Sequence, residues 1–145
     1  MQPNPHLQPL ATLVGDWTMQ GTHPMLPGRD LRGRATFAWI ESGAFLVLRT
    51  TNDDPDIPNG VAVFGTDDAT NVGRMLYFDV RNVSREYEWS IAGRVWTWSR
   101  NDPAFSQRMD MTIGEDGRTI AATGQMSRNG APWEPDIQLT YTRAR

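Results

Sequence analysis

Gly15-Asp16-Trp17 near the start of the chain and Leu139-Thr140-Tyr141-Thr142-Arg143 near its end bracket about ten short stretches of strand-like sequence. The first quoted stretch opens the first of these runs and the second closes the last. If the two runs are neighbours in space, the sheet between them is a closed barrel. The Arg143 guanidinium can then lie over the indole face of Trp17 and seal one end, a cation–π contact of about 0.5 to 2 kcal/mol.

Between the brackets, apolar and polar residues alternate at period two, and turn signals recur about every eight to twelve residues. The signals are Pro27-Gly28, Ser42-Gly43, Asn59-Gly60, Asn71 to Gly73, Ala92-Gly93, Asp102-Pro103, Asp116-Gly117 and Asn129-Gly130. They divide the chain into ten predicted strands: 15–22, 32–41, 44–52, 60–67, 73–81, 84–92, 94–101, 105–115, 118–128 and 133–143. Links of hairpin length imply an up-and-down antiparallel meander, and closure removes the edges an open sheet would have to protect. The fold expected is therefore all-β, a ten-stranded antiparallel barrel in one domain spanning 1–145, with a short helix over 7–14. Leu7, Leu10, Ala11 and Val14 share one face of that helix and Gly15 stops it, which suits a lid or plug. The polar loop from Asn52 to Asn59, stiffened by Pro55 and Pro58, belongs at a barrel mouth.

Composition narrows the chemistry. The chain has 145 residues, a net charge of -3 and no cysteine, which removes disulfides, thiolate nucleophiles and thiolate metal sites. All 14 basic residues are arginine, so no lysine is present for Schiff-base chemistry. They are dispersed, leaving no basic footprint for nucleic acid or anionic lipid. Only His6 and His23 could serve a Ser-His-Asp triad, there is no Gly-x-Ser-x-Gly elbow, and no metal-ligand spacing occurs. No cofactor or metal is expected. With no apolar leader and no membrane-length apolar run, the expected setting is the cytoplasm.

Side-chain alternation assigns the inner face. In 84–92, Arg85, Tyr87, Trp89 and Ile91 oppose Ser84, Glu86, Ser90 and Glu88, so the aromatics and Arg85 point inward. In 94–101, Trp96, Trp98 and Arg100 share a face, and in 32–41 Ala35, Phe37 and Trp39 do. The strand 73–81 offers two faces, Leu76, Phe78 and Val80 against Tyr77, Asp79 and Arg81. A three-residue link Asn82-Val83-Ser84, the arrangement expected, puts the second set inside, with Arg81 opposite Arg85, Asp79 opposite Tyr87 and Tyr77 opposite Trp89; a two-residue link would put the first set there.

On the Gly-x-Trp and the distant Arg143, the chain resembles the calycins, the lipocalin and fatty-acid-binding-protein group of ligand barrels, from Leu7 to Arg143. It also resembles a family of small bacterial lipocalin-like proteins of unknown function, through His23-Pro24, Tyr77-Phe78-Asp79 and Phe105-Ser106-Gln107-Arg108. The resemblance implies a barrel whose interior is either filled or open to one small molecule. A further likeness is to the haem-binding nitrobindin barrels, which share Gly-x-Trp and ten strands. Those ligate iron through a histidine on a late strand; this chain has none after His23, and Pro135 stands in Trp133-Glu134-Pro135-Asp136 where one would be sought.

The expected function is binding of a small apolar or amphipathic molecule in the barrel, its polar end, anionic or carbonyl, held by arginine. Tyr77, Asp79, Arg81, Arg85, Tyr87 and Gln107 are the expected polar contacts, and Trp39, Trp89, Trp96 and Trp98 the expected walls. Trp17 and Arg143 are structural. The alternative is an isomerase, cyclase or hydrolase in the same cavity, with Asp79 or His23 moving a proton, although two arginines beside Asp79 should lower its pKa. The partner expected is a small molecule, not nucleic acid or membrane, and a homodimer is compatible with the composition.

Overall fold

Period-two alternation becomes strand at all ten predicted places. The computed structural model describes residues 1–144. Its strands are β1 (Gly15–Thr22), β2 (Leu31–Ile40), β3 (Phe45–Asn52), β4 (Gly60–Thr66), β5 (Gly73–Asp79), β6 (Val83–Ala92), β7 (Val95–Arg100), β8 (Phe105–Ile113), β9 (Thr119–Arg128) and β10 (Glu134–Arg143). Each pairs antiparallel with its sequence neighbours, and β1 pairs with β10, so the sheet closes. Trp17 lies directly opposite Arg143 in that seam.

The N-terminal helix departs from expectation. It is a 3-10 helix over Pro5–Leu13, and its inner face is Leu7, Leu10 and Leu13, all wholly buried. Leucines three apart eclipse one another in a three-residue turn, whereas an α-helical face would have used Ala11 and Val14. Pro9 inside the segment also withholds a backbone donor. The helix plugs one end of the barrel. Its last carbonyls are taken by Arg143, which donates from Nη1 to Val14 O at 3.0 Å and from Nη2 to Thr12 O. The same guanidinium stands 4.3 Å over the Trp17 ring, and Trp17 Nε1 donates to Leu13 O at 2.9 Å. Gly15, at φ +133°, is required here, because a Cβ would come within 2.9 Å of Arg143 Nη1.

From this plug the interior is filled to about half its height. Trp17, Phe37, Leu46, Phe64, Trp96 and Ile120 pack there with almost no exposure. Above them the barrel is open.

The β5–β6 hairpin corrects one expectation. The inward set is the Tyr77 face, and Leu76 and Phe78 are 43% and 40% exposed on the outside. The register, however, pairs Tyr77 with Arg85 and Met75 with Tyr87. The three-residue link is Val80-Arg81-Asn82, with Asn82 in the left-handed region at φ 67°. Arg81 is therefore a turn residue at the rim and not an inward strand residue, because the turn consumes the last two positions of the predicted strand.

Candidate functional site

The open half holds a cavity of about 420 Å³. Its polarity changes with depth because successive inward positions on each strand are two residues apart. The floor and lower walls are Met19, Leu48, Met75, Trp98 and Met109, with Leu139 and Tyr141 from β10. One layer nearer the mouth come Tyr77, Arg85 and Gln107. Loop residues Met25, Leu26, Ile57 and Pro58 border the opening. Arg29 on the first of these loops holds Asp54 and Asp56 on the second, at 3.2 and 2.6 Å.

Two polar networks line the mouth. In the first, Asp79 receives hydrogen bonds from Tyr77 OH at 2.8 Å and from Arg81 Nη2 at 2.7 Å, and the Arg81 backbone N–H adds a third at 2.9 Å. These bonds, Arg81's first among them, hold the Asp79 carboxyl down at about 2. Burial, with help from Asp79, pushes the Tyr77 phenol well above its ordinary value. Such an acid is a poor proton acceptor at neutral pH, so Asp79 is a charge partner for Arg81.

Replacing Arg81 by Met should move the Asp79 titration up toward 3.8, as read by carboxyl-carbon NMR. Because the folded value lies below the unfolded one, Asp79 contributes stability that is fully present above about pH 4 and fades as pH falls toward 2. Less of that acid-side loss should remain in the variant. An Asp79 titration that does not move in Arg81→Met would assign the depression to Tyr77 and the backbone instead.

The second network was not legible from the sequence. Asp136 is 9% exposed, and its carboxylate accepts from Gln107 Nε2 at 3.1 Å and lies 3.3 Å from His23 Nε2. Strict alternation on β10 would turn Ile137, Leu139 and Tyr141 inward and Asp136 outward. A β-bulge between Pro135 and Gln138 sets two residues against one on β9 and brings Asp136 inside beside Ile137. Gly124 is the residue opposite, and a Cβ there would stand 2.9 Å from Ile137 O. A glycine within β9 facing a proline-bearing strand was the available signal.

Gln107 joins the two sides of this network. Its Oε1 accepts from Tyr87 OH and, at 3.4 Å, from Arg85 Nη1. Arg85 also stands 5.1 Å over the Phe105 ring and forms no ion pair among the described residues. It is the guanidinium of the cavity with donors to spare. Arg108, by contrast, bonds Gln125 Oε1 at 2.6 Å and stacks 4.0 Å over Trp133.

His23 has no free basic nitrogen. Its Nδ1 accepts the Met25 backbone N–H at 3.0 Å, which leaves the proton on Nε2, facing Asp136. Thus neither sequence candidate for proton transfer, His23 or Asp79, is poised for it.

Of the four tryptophans expected as walls, only Trp98 reaches the cavity. Trp96 is buried in the filled half against Phe37, Phe64 and Trp98. Trp89 is pinned by Nε1 bonds to Gly65 O and Arg74 O, and Trp39 packs against the core near the plug end. Alternation fixed their facing correctly, but it carries no information on height along the barrel axis. Tyr77, Arg81, Arg85, Tyr87 and Gln107 all border the cavity. Among the described residues, no cluster of three His, Asp or Glu could hold a metal ion, and no helix is long and apolar enough to cross a membrane.

No protein-family model matches the chain, and no curated protein does. Among solved structures it is similar to Rv2717c from M. tuberculosis, with 15% sequence identity, a TM-score of 0.70, and coverage of 99% of this chain and 100% of that one. At that identity the likeness is one of fold.

Proposed function

We propose that the protein binds one small apolar or amphipathic molecule, its apolar part in the depth of the barrel and its polar end against Arg85. One observation carries this reading: the barrel is packed solid in one half and left open in the other, and the open half is apolar below and bears an unpaired guanidinium above. A soluble core gains nothing from leaving this much volume unfilled, since cavities cost stability in proportion to their size. The volume falls within the roughly 300 to 1,000 Å³ of ordinary small-molecule sites. Methionine-rich walls can adapt to the shape of what they hold. The reading also suits the calycin-like resemblance and a cytoplasmic bacterial binding protein. A reaction in the same cavity has less support, because His23 and Asp79 are committed to other bonds.

Two measurements test it. Native mass spectrometry of the protein taken from its natural source should reveal a retained small molecule. The stripped protein should bind Nile red, and Met109→Trp, which fills the half-buried wall position, should abolish that binding without unfolding the barrel. Nile red held equally well by Met109→Trp would place the binding elsewhere and overturn the proposal.

A further inference from the structure

The head group that such a cavity accepts can be narrowed, on the premise that the cavity is a binding site. Arg85 and Asp136 face the same mouth without touching each other. Between them lies the Gln107 amide, its carbonyl oxygen taking donors from Arg85 and Tyr87 and its nitrogen donating to Asp136. The mouth thus already holds one carboxamide, the protein's own, with acceptor toward the cation and donor toward the anion. Both charged groups keep unused capacity. Arg85 has further N–H donors, and each Asp136 oxygen has a second lone pair.

We infer that this mouth selects a head group carrying a hydrogen-bond acceptor beside a donor and no net charge, such as a primary carboxamide, in preference to a carboxylate. A carboxylate would satisfy Arg85 but would bring a second negative charge toward buried Asp136 in a site of low dielectric. The other neighbour of Asp136 is His23 Nε2 at 3.3 Å, in an imidazole whose Nδ1 accepts the Met25 backbone N–H. Arg81 gives no relief, since its charge is already taken up by Asp79. An amide meets both groups without repulsion. The bulge that turns Asp136 inward is therefore the specificity element, and an outward Asp136 would leave an ordinary carboxylate site at Arg85.

The test compares octanamide with octanoate by calorimetric titration at neutral pH, in the native sequence and in Asp136→Asn, with thermal melts to verify folding. In the native protein octanamide should bind at least about tenfold tighter than octanoate. In Asp136→Asn the difference should shrink to about threefold or less, mainly through a gain for octanoate. Arg85→Met should weaken both. Octanoate binding as tightly as octanamide in the native protein, or a preference unmoved by Asp136→Asn, overturns the inference. If neither octyl compound binds while Nile red does, the head-group rule fails and the binding proposal stands. If Nile red is not held either, the binding proposal falls and takes this inference with it.

Discussion

Trp17→Ala lowers the stability of the barrel by about 3 to 5 kcal/mol, the usual cost of truncating a buried tryptophan. The indole is 1% exposed, meets Phe37 edge-on at 6.5 Å, and donates to the Leu13 carbonyl of the plug. Its loss removes the packing under the helix and the face on which Arg143 rests. Arg143→Met costs less alone, since the aliphatic stem remains. The Thr12 and Val14 carbonyls then lose their donor, and the seam loses its cation. Urea unfolding of both single variants and the double variant should give a coupling energy of about 0.5 to 2 kcal/mol. Strict additivity would mean that stacking and capping by Arg143 are independent of the ring beneath it.

Trp96→Ala has an effect of similar size by a different route. Its ring is wholly buried and stands 4.9 Å from Phe64 and 5.1 Å from Trp98. The Nε1 group has no acceptor, so truncation forfeits packing and no hydrogen bond. About 3 to 5 kcal/mol is expected. The void would join the floor of the existing cavity, so an apolar probe longer than the native site accepts should gain access. Trp98→Ala should cost less, because that ring already faces open space. Urea midpoints rank the two, and equal losses would show that Trp98 is as tightly packed as Trp96 and that the floor lies higher than described.

The sequence and the structure agree where local periodicity decides and diverge where one residue breaks it. Strand number, closure and the Trp17–Arg143 pairing follow from alternation and the two terminal motifs. So does the inward facing of Arg85 and Tyr87. Asp136 was invisible because a single extra residue in β10 reverses the face that alternation assigns. Arg81 was misplaced because a turn with Asn82 in the left-handed region begins two residues before the alternation ends. The helix face was misread because a 3.6-residue turn was assumed, whereas leucines three apart with Pro9 among them follow a three-residue turn. Trp39, Trp89 and Trp96 point inward as expected, yet whether an inward ring meets ligand or core depends on its level in the barrel, which only the strand registers establish.

The seam between β1 and β10 has a kinetic meaning. Nine of the ten strand pairings join neighbours along the chain and can form as local hairpins. The tenth unites Arg143 with carbonyls 129 and 131 positions earlier. Loop-closure entropy therefore concentrates in one event, and chains governed by such distant contacts assemble slowly. The plug, the indole and the guanidinium all meet at that seam, so the contacts that hold the finished barrel shut are the ones that can form only when the whole chain has arrived.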